Sequence, residues 1–238
     1  VTENTDRTGA LATGPRRVRP GAGTTTTAPS WWQSPWVAVL AVLVVFNLLY
    51  AFPRYLTGDP QQARIPLDPA FPAHYTVLVA HVVFGNISLV TVFLQVLPWI
   101  RRHYPAVHRM SGRVYVFAGA LPGALLALVL VPYSTAPSGK IGLAMMGVLW
   151  LITTLLGFRA VLRRRFVDHR RWMVYSFALA LGTSWGRVVV ELMPHIPGFR
   201  IGIMTLLEVA NWAGWVLNLV IAHWWLERTG PRAAQLVR

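Results

Sequence analysis

The chain contains no cysteine, which excludes disulfides, thiol nucleophiles, thiolate metal sites and iron–sulfur clusters from its chemistry. Acidic residues are scarce too: eight Asp and Glu stand against 22 Lys and Arg, for a formal charge of +14. Only 13% of the residues are charged while 55% are hydrophobic, too little charge to cover a soluble domain of 238 residues. The positive balance does not describe a nucleic-acid-binding domain, because the basic residues sit in short clusters between long apolar runs. Several catalytic signatures are also missing. There is no phosphate loop, no Gly-rich dinucleotide fingerprint, no His-Glu-x-x-His helix and no nucleophile elbow.

What is present is apolar sequence in six blocks, at roughly 32–52, 75–98, 114–133, 141–162, 172–193 and 202–226. Each is long enough at ~1.5 Å per residue to cross a hydrocarbon core of ~30 Å. Backbone amides in lipid must be paired within their own segment, so these blocks predict helices. The expected fold is all-α, an integral membrane bundle of about six transmembrane helices. Residues 1–30 carry Gly, Pro and a Thr run instead of large apolar side chains, the composition of a disordered tail. The expected division is a tail over 1–30, a transmembrane domain over 31–228 and a short tail over 229–238.

Arginines set the expected orientation. Arg7, Arg16, Arg17 and Arg19 precede the first block, and Arg101, Arg102, Arg109 and Arg113 lie between the second and third. Arg159, Arg163, Arg164, Arg165, Arg170 and Arg171 lie between the fourth and fifth, and Arg228, Arg232 and Arg238 follow the sixth. The opposite connections hold only Arg54, Arg64, Lys140 and Arg200. The positive-inside rule then predicts a multi-pass cell-membrane protein with both termini in the cytoplasm. Trp31, Trp32, Trp36, Trp99, Trp172, Trp224 and Trp225 fall near block ends, where indole favours the interface. Gly119 to Gly123 and Gly182 to Gly186 have the four-residue spacing that lets helix backbones approach closely.

Two groups of residues have the makings of a site. Neutral imidazole is a common ligand for haem iron and other metals, and His108, His169, His81 and His223 lie at or inside the blocks. His108-Arg109 and His169-Arg170 each precede a similar apolar run, Val114–Ala118 and Val174–Ala178, which suggests related hairpins with the two histidines at equal depth. Asp168 is placed either to orient His169 or to cap the fifth helix. The second group is ionisable. Arg187 and Glu191 are four apart and read as an intrahelical ion pair, whereas Glu208 has no local partner and is expected to face Arg187 or His81. Gln95 and Asn86 are expected to hydrogen-bond across the bundle.

The ordered combination of His81 with Gly85, Gln95, the run His108-Arg109-Met110-Ser111-Gly112-Arg113-Val114-Tyr115, Trp150-Leu151-Ile152-Thr153-Thr154 and His169-Arg170-Arg171-Trp172-Met173 resembles a bacterial membrane family. That family is domain of unknown function 2306. The resemblance covers roughly residues 75–190 and implies a helical membrane protein without bringing an activity. The entry to the third block is also similar to the Leu-His-Arg-x-x-Gly entries of cytochrome b561-like and ferric-reductase-like haem proteins.

Together these observations point first to a membrane redox protein. It would hold b-type haem or another metal through His108 and His169, with His81 or His223 as further ligands and a membrane or cytoplasmic redox partner. A non-catalytic structural or assembly subunit is the alternative. A third reading is a cofactor-free enzyme on a lipid or isoprenoid substrate, with Glu208 or Glu191 as acid.

Overall fold

A computed structural model describes residues 35–198 and 200–229, which are helical throughout apart from short connections. The expected tails, Trp31, Trp32 and the arginines at 7, 16, 17, 19, 232 and 238 lie outside the described residues. Six helices are long and apolar enough to cross a membrane. They are α1 (Pro35–Leu56), α2 (His74–Val96), α3 (Pro105–Leu130), α4 (Lys140–Leu162), α5 (Phe166–Leu192) and α6 (Ile203–Thr229). Consecutive helices run antiparallel, so one end of the bundle collects the arginines of the α2–α3 and α4–α5 connections. The other end, the far end, holds the α1–α2, α3–α4 and α5–α6 connections.

Helices α2 to α5 form the centre, with α1 laid against α2 and α6 against α5. Their shared core contains Val92, Tyr115, Ala120, Ala124, Met146, Trp150, Met173 and Leu179. Large apolar residues such as Val42, Leu49, Ile141 and Leu162 are turned outward. A bundle surrounded by hydrocarbon gains nothing by hiding them. At the arginine-rich end, Arg170 lies 4.7 Å from the Trp225 ring and Arg228 lies 4.3 Å from the Trp224 ring, a cation–π pairing suited to an interface.

Two helices begin well before their apolar blocks, α3 at Pro105 and α5 at Phe166. Their first turns are rich in Arg and His, which hydropathy reads as loop, yet the backbone continues unbroken from these polar turns into the bilayer. Neither long helix is regular. A π-helical turn spans Val116–Ala120 in α3, and α5 is interrupted at Leu181 between Phe166–Ala180 and Gly182–Leu192.

The small-residue spacings are used, but for different partners. A Cβ on Gly119 would sit 2.6 Å from Ser88 Oγ of α2. On Gly182 it would sit 2.6 Å from Trp215 Cβ, and on Gly186 2.7 Å from the Ala210 carbonyl oxygen, both of α6. The two motifs therefore bring α3 onto α2 and α5 onto α6. They do not bring α3 and α5 together.

Candidate functional site

Helices α3 and α5 meet through polar atoms. The Tyr115 hydroxyl and Ser176 Oγ are 2.6 Å apart, Ser176 is 2.7 Å from Thr154 Oγ1, and Trp150 Nε1 donates to the Tyr115 hydroxyl at 3.0 Å. Tyr115, Ser176 and Thr154 are fully buried. Each hydroxyl is satisfied by its neighbours, as a polar group in a low-dielectric interior requires. Of these four residues, Tyr115, Trp150 and Thr154 stand in the stretches that carry the family resemblance, but none is picked out by sequence as a polar network.

Seven residues before Tyr115 is His108, and seven residues before Ser176 is His169. Seven residues are close to two α-helical turns, so each histidine lies on the same face as the residue that makes the contact, ~10 Å nearer the helix start. The two rings lie within electrostatic reach of one another, with Arg101 and Arg109 also near His108. The sequence echo pairs Tyr115 with Tyr175, one residue out of this register. Tyr175 instead turns to α6, where its hydroxyl lies 2.9 Å from His223 Nδ1. His223 is thereby engaged outside the α3–α5 contact.

His169 is positioned by the turn before it. At the end of α4, the Arg164 amide donates to the Val161 carbonyl and the Arg165 amide to the Ala160 carbonyl, with Arg164 left-handed at φ 55°. This Schellman-type closure doubles the chain back so that His169 Nδ1 reaches the Gly157 carbonyl at 2.8 Å. A Cβ on Gly157 would lie 2.6 Å from Met173 Sδ, so a larger residue there would have to displace the Met173 side chain. A carbonyl only accepts, so Nδ1 carries the proton and the neutral ring keeps its Nε2 lone pair free. His81 is fixed in the same way by the Gly123 carbonyl at 2.9 Å. His108 differs: its Nδ1 is buried and finds no hydrogen-bond partner.

The residues near the two histidines bear out some expectations and correct others. Gln95 does cross the bundle, donating from Nε2 to the His108 carbonyl and to Ser111 Oγ, both at 2.6 Å. Asn86 does not, because its amide turns back to the Val82 carbonyl of its own helix at 2.8 Å. Asp168 neither caps α5 nor orients His169. It lies inside the first turn, after an N-cap position occupied by Arg165, where a carboxylate favours the helix dipole. Arg113 is exposed at the arginine-rich end.

The ionisable group near the far end is arranged differently from expectation. Glu191 pairs with Arg64 of the α1–α2 connection at 2.7 Å, so the intrahelical pair with Arg187 does not form. Arg187 NH1 donates instead to Asn47 Oδ1. Glu208 faces neither Arg187 nor His81. It is exposed, and its carboxylate accepts the Gly139 amide at the start of α4 at 2.8 Å. Asn47, Tyr50 and Arg64 are functional candidates the sequence reading passed over. A lone Asn in the middle of an apolar helix was the available signal.

As a test for haem or a metal, the donors at the arginine-rich end are chemically suitable: one imidazole with a fixed tautomer and a free Nε2, and one with an orphaned buried nitrogen. Two histidines suffice for the axial positions of a b-type haem. No group of three or more His, Asp or Glu with metal-holding geometry exists among the described residues.

Searches of curated proteins and of solved structures find no similar protein. The model of one family, described as predicted membrane protein, domain of unknown function 2306, matches residues 78–226. That stretch begins in α2 and ends in α6, and it holds His108, His169, the Tyr115 network and Arg187. The chain is a polytopic membrane protein and belongs to this family.

Proposed function

We propose that the protein is a membrane electron-transfer protein whose His108 and His169 hold one b-type haem at the arginine-rich end, between α3 and α5. The supporting observation is the shared register: each histidine lies seven residues before one half of the Tyr115–Ser176 contact. Bound there, haem supplies reversible one-electron transfer.

The chain's own residues would do the positioning. Gly157 holds the His169 ring in the tautomer that presents Nε2, and Gln95 fixes the backbone that carries His108. Arg101 and Arg109 supply positive charge beside His108, suited to the carboxylates of a haem edge. The Tyr115–Ser176 contact limits the depth available to ~10 Å from the histidines, so the cofactor would sit at the helix ends, within reach of a soluble donor. The positive-inside rule puts this end in the cytoplasm, with the tails 1–30 and 229–238 on the same side.

Glu208 and Glu191 are already engaged by the Gly139 amide and by Arg64, so acid catalysis on a lipid is not part of this proposal. The test is the visible spectrum of protein purified in detergent after expression with excess haem. A Soret band at about one haem per chain supports the reading. A colourless, well-folded protein favours the structural or assembly role.

A further inference from the structure

We infer that Arg187 is the centre of a binding site, near the far end of the bundle, for the single-charged oxyanion of an amphiphile, a phosphodiester or a carboxylate. The cluster holds more positive than negative charge. Arg64 and Arg187 are both cations, and Glu191 is the one carboxylate bonded to either of them among the described residues. Glu191 is committed to Arg64 at 2.7 Å and also engages the Tyr50 hydroxyl. Arg187 has no carboxylate partner among the described residues.

The groups that contact Arg187 directly are neutral. Its NH1 donates to Asn47 Oδ1, and its guanidinium lies 5.7 Å from the Tyr50 ring centre. Asn47 is fully buried, and its amide nitrogen donates to the Leu43 carbonyl at 2.7 Å and to Ser184 Oγ at 2.9 Å. Both its hydrogens are therefore used, and Oδ1 is held toward Arg187. A guanidinium has five N–H donors in a planar fork that matches an oxyanion. Among the described residues only Asn47 accepts a hydrogen bond from it.

Depth selects an amphiphile. Arg187 is five residues from the end of α5 at Leu192, which places its backbone ~7 Å inside the helix end. A charge left uncompensated there is costly, and its usual resolution is a partner or a ligand. A headgroup oxyanion reaches this depth with its tail in lipid. The net charge of one matches a phosphodiester or a fatty carboxylate.

Native mass spectrometry of the detergent-purified chain tests this independently of any haem, because the readout is bound amphiphile. Oleate, dioleoyl phosphatidylglycerol, neutral monoolein and inorganic phosphate are the probes. Wild type should retain oleate or the phospholipid, and the preferred one identifies the source of the oxyanion. Arg187→Gln should weaken retention at least tenfold, whereas Arg187→Lys should weaken it less. Glu191→Gln, which raises the local charge, should tighten it. Adventitious binding at the arginine-rich end is common to all variants and cancels in the comparison. Equal retention by wild type and Arg187→Gln overturns the inference, as does a preference for monoolein or phosphate alone over both anionic amphiphiles. If Arg187→Gln does not fold, Glu191→Gln decides: unchanged or weaker retention overturns the inference.

Discussion

The Tyr115 hydroxyl and Ser176 Oγ stand 2.6 Å apart in the centre of the bundle, and this contact sets the register of two helices that both enter from the arginine-rich end. Removing the hydroxyl tests how much it holds. Tyr115→Phe leaves Ser176 and Trp150 Nε1 each short of a partner, which should cost about 1–2 kcal/mol. A lowered unfolding temperature in detergent would show the loss. Ser176→Ala, with Thr154 still beside the hydroxyl, should cost less.

Glycine substitutions separate packing from open space. Gly186→Ala drives a methyl against the Ala210 carbonyl, 2.7 Å from the new Cβ, and should destabilise by about 1–3 kcal/mol. Gly85→Ala meets nothing within 4 Å and should change stability by less than about 0.5 kcal/mol. Thermal unfolding of the two variants side by side checks the contrast.

Glu208 provides a third expectation. Glu208→Gln keeps an acceptor for the Gly139 amide and should leave stability near wild type, while Glu208→Ala should cost about 1 kcal/mol. Because Glu208 does not contact Arg187, their substitutions should add within about 0.5 kcal/mol. A larger coupling energy in the double-mutant cycle would contradict the geometry.

The absence of native cysteine makes orientation directly measurable. A single cysteine at Gln61 should react with an impermeant maleimide in intact cells, and one at Arg102 or Arg164 should react only after permeabilisation. Reporter fusions after residue 30, and at 100–108, 163–170 and the C-terminus, should agree by reporting cytoplasm. Reaction at Arg164 in intact cells would reverse the orientation.

Much of the fold was legible because lipid imposes one rule on every span: long apolar runs become helices. The start of α4 differed from expectation by one residue, since its apolar run begins at its first turn. The starts of α3 and α5 were missed because their first turns carry His and Arg, whose side chains favour water while their backbone continues the helix. The π-helical turn at Val116–Ala120 leaves no trace in hydropathy. The histidine echo was visible, but the partner of Tyr115 was not. The sequence aligns Tyr115 with Tyr175, and only helical geometry, two turns from each histidine, selects Ser176. Arg187 is conspicuous in the sequence, but local spacing points to Glu191 on its own helix as its partner. The real one, Asn47, is 140 positions away, which no local spacing reveals.

The most direct test of the proposed two-histidine haem site is the Soret absorbance of His108→Ala and His169→Ala beside wild type, at matched protein concentration and folding. Two axial ligands to one haem predict that each single substitution abolishes or shifts the band and that His223→Ala leaves it intact. A wild-type band that survives unchanged in both His108→Ala and His169→Ala, or no band in any haem-replete preparation, would contradict the account.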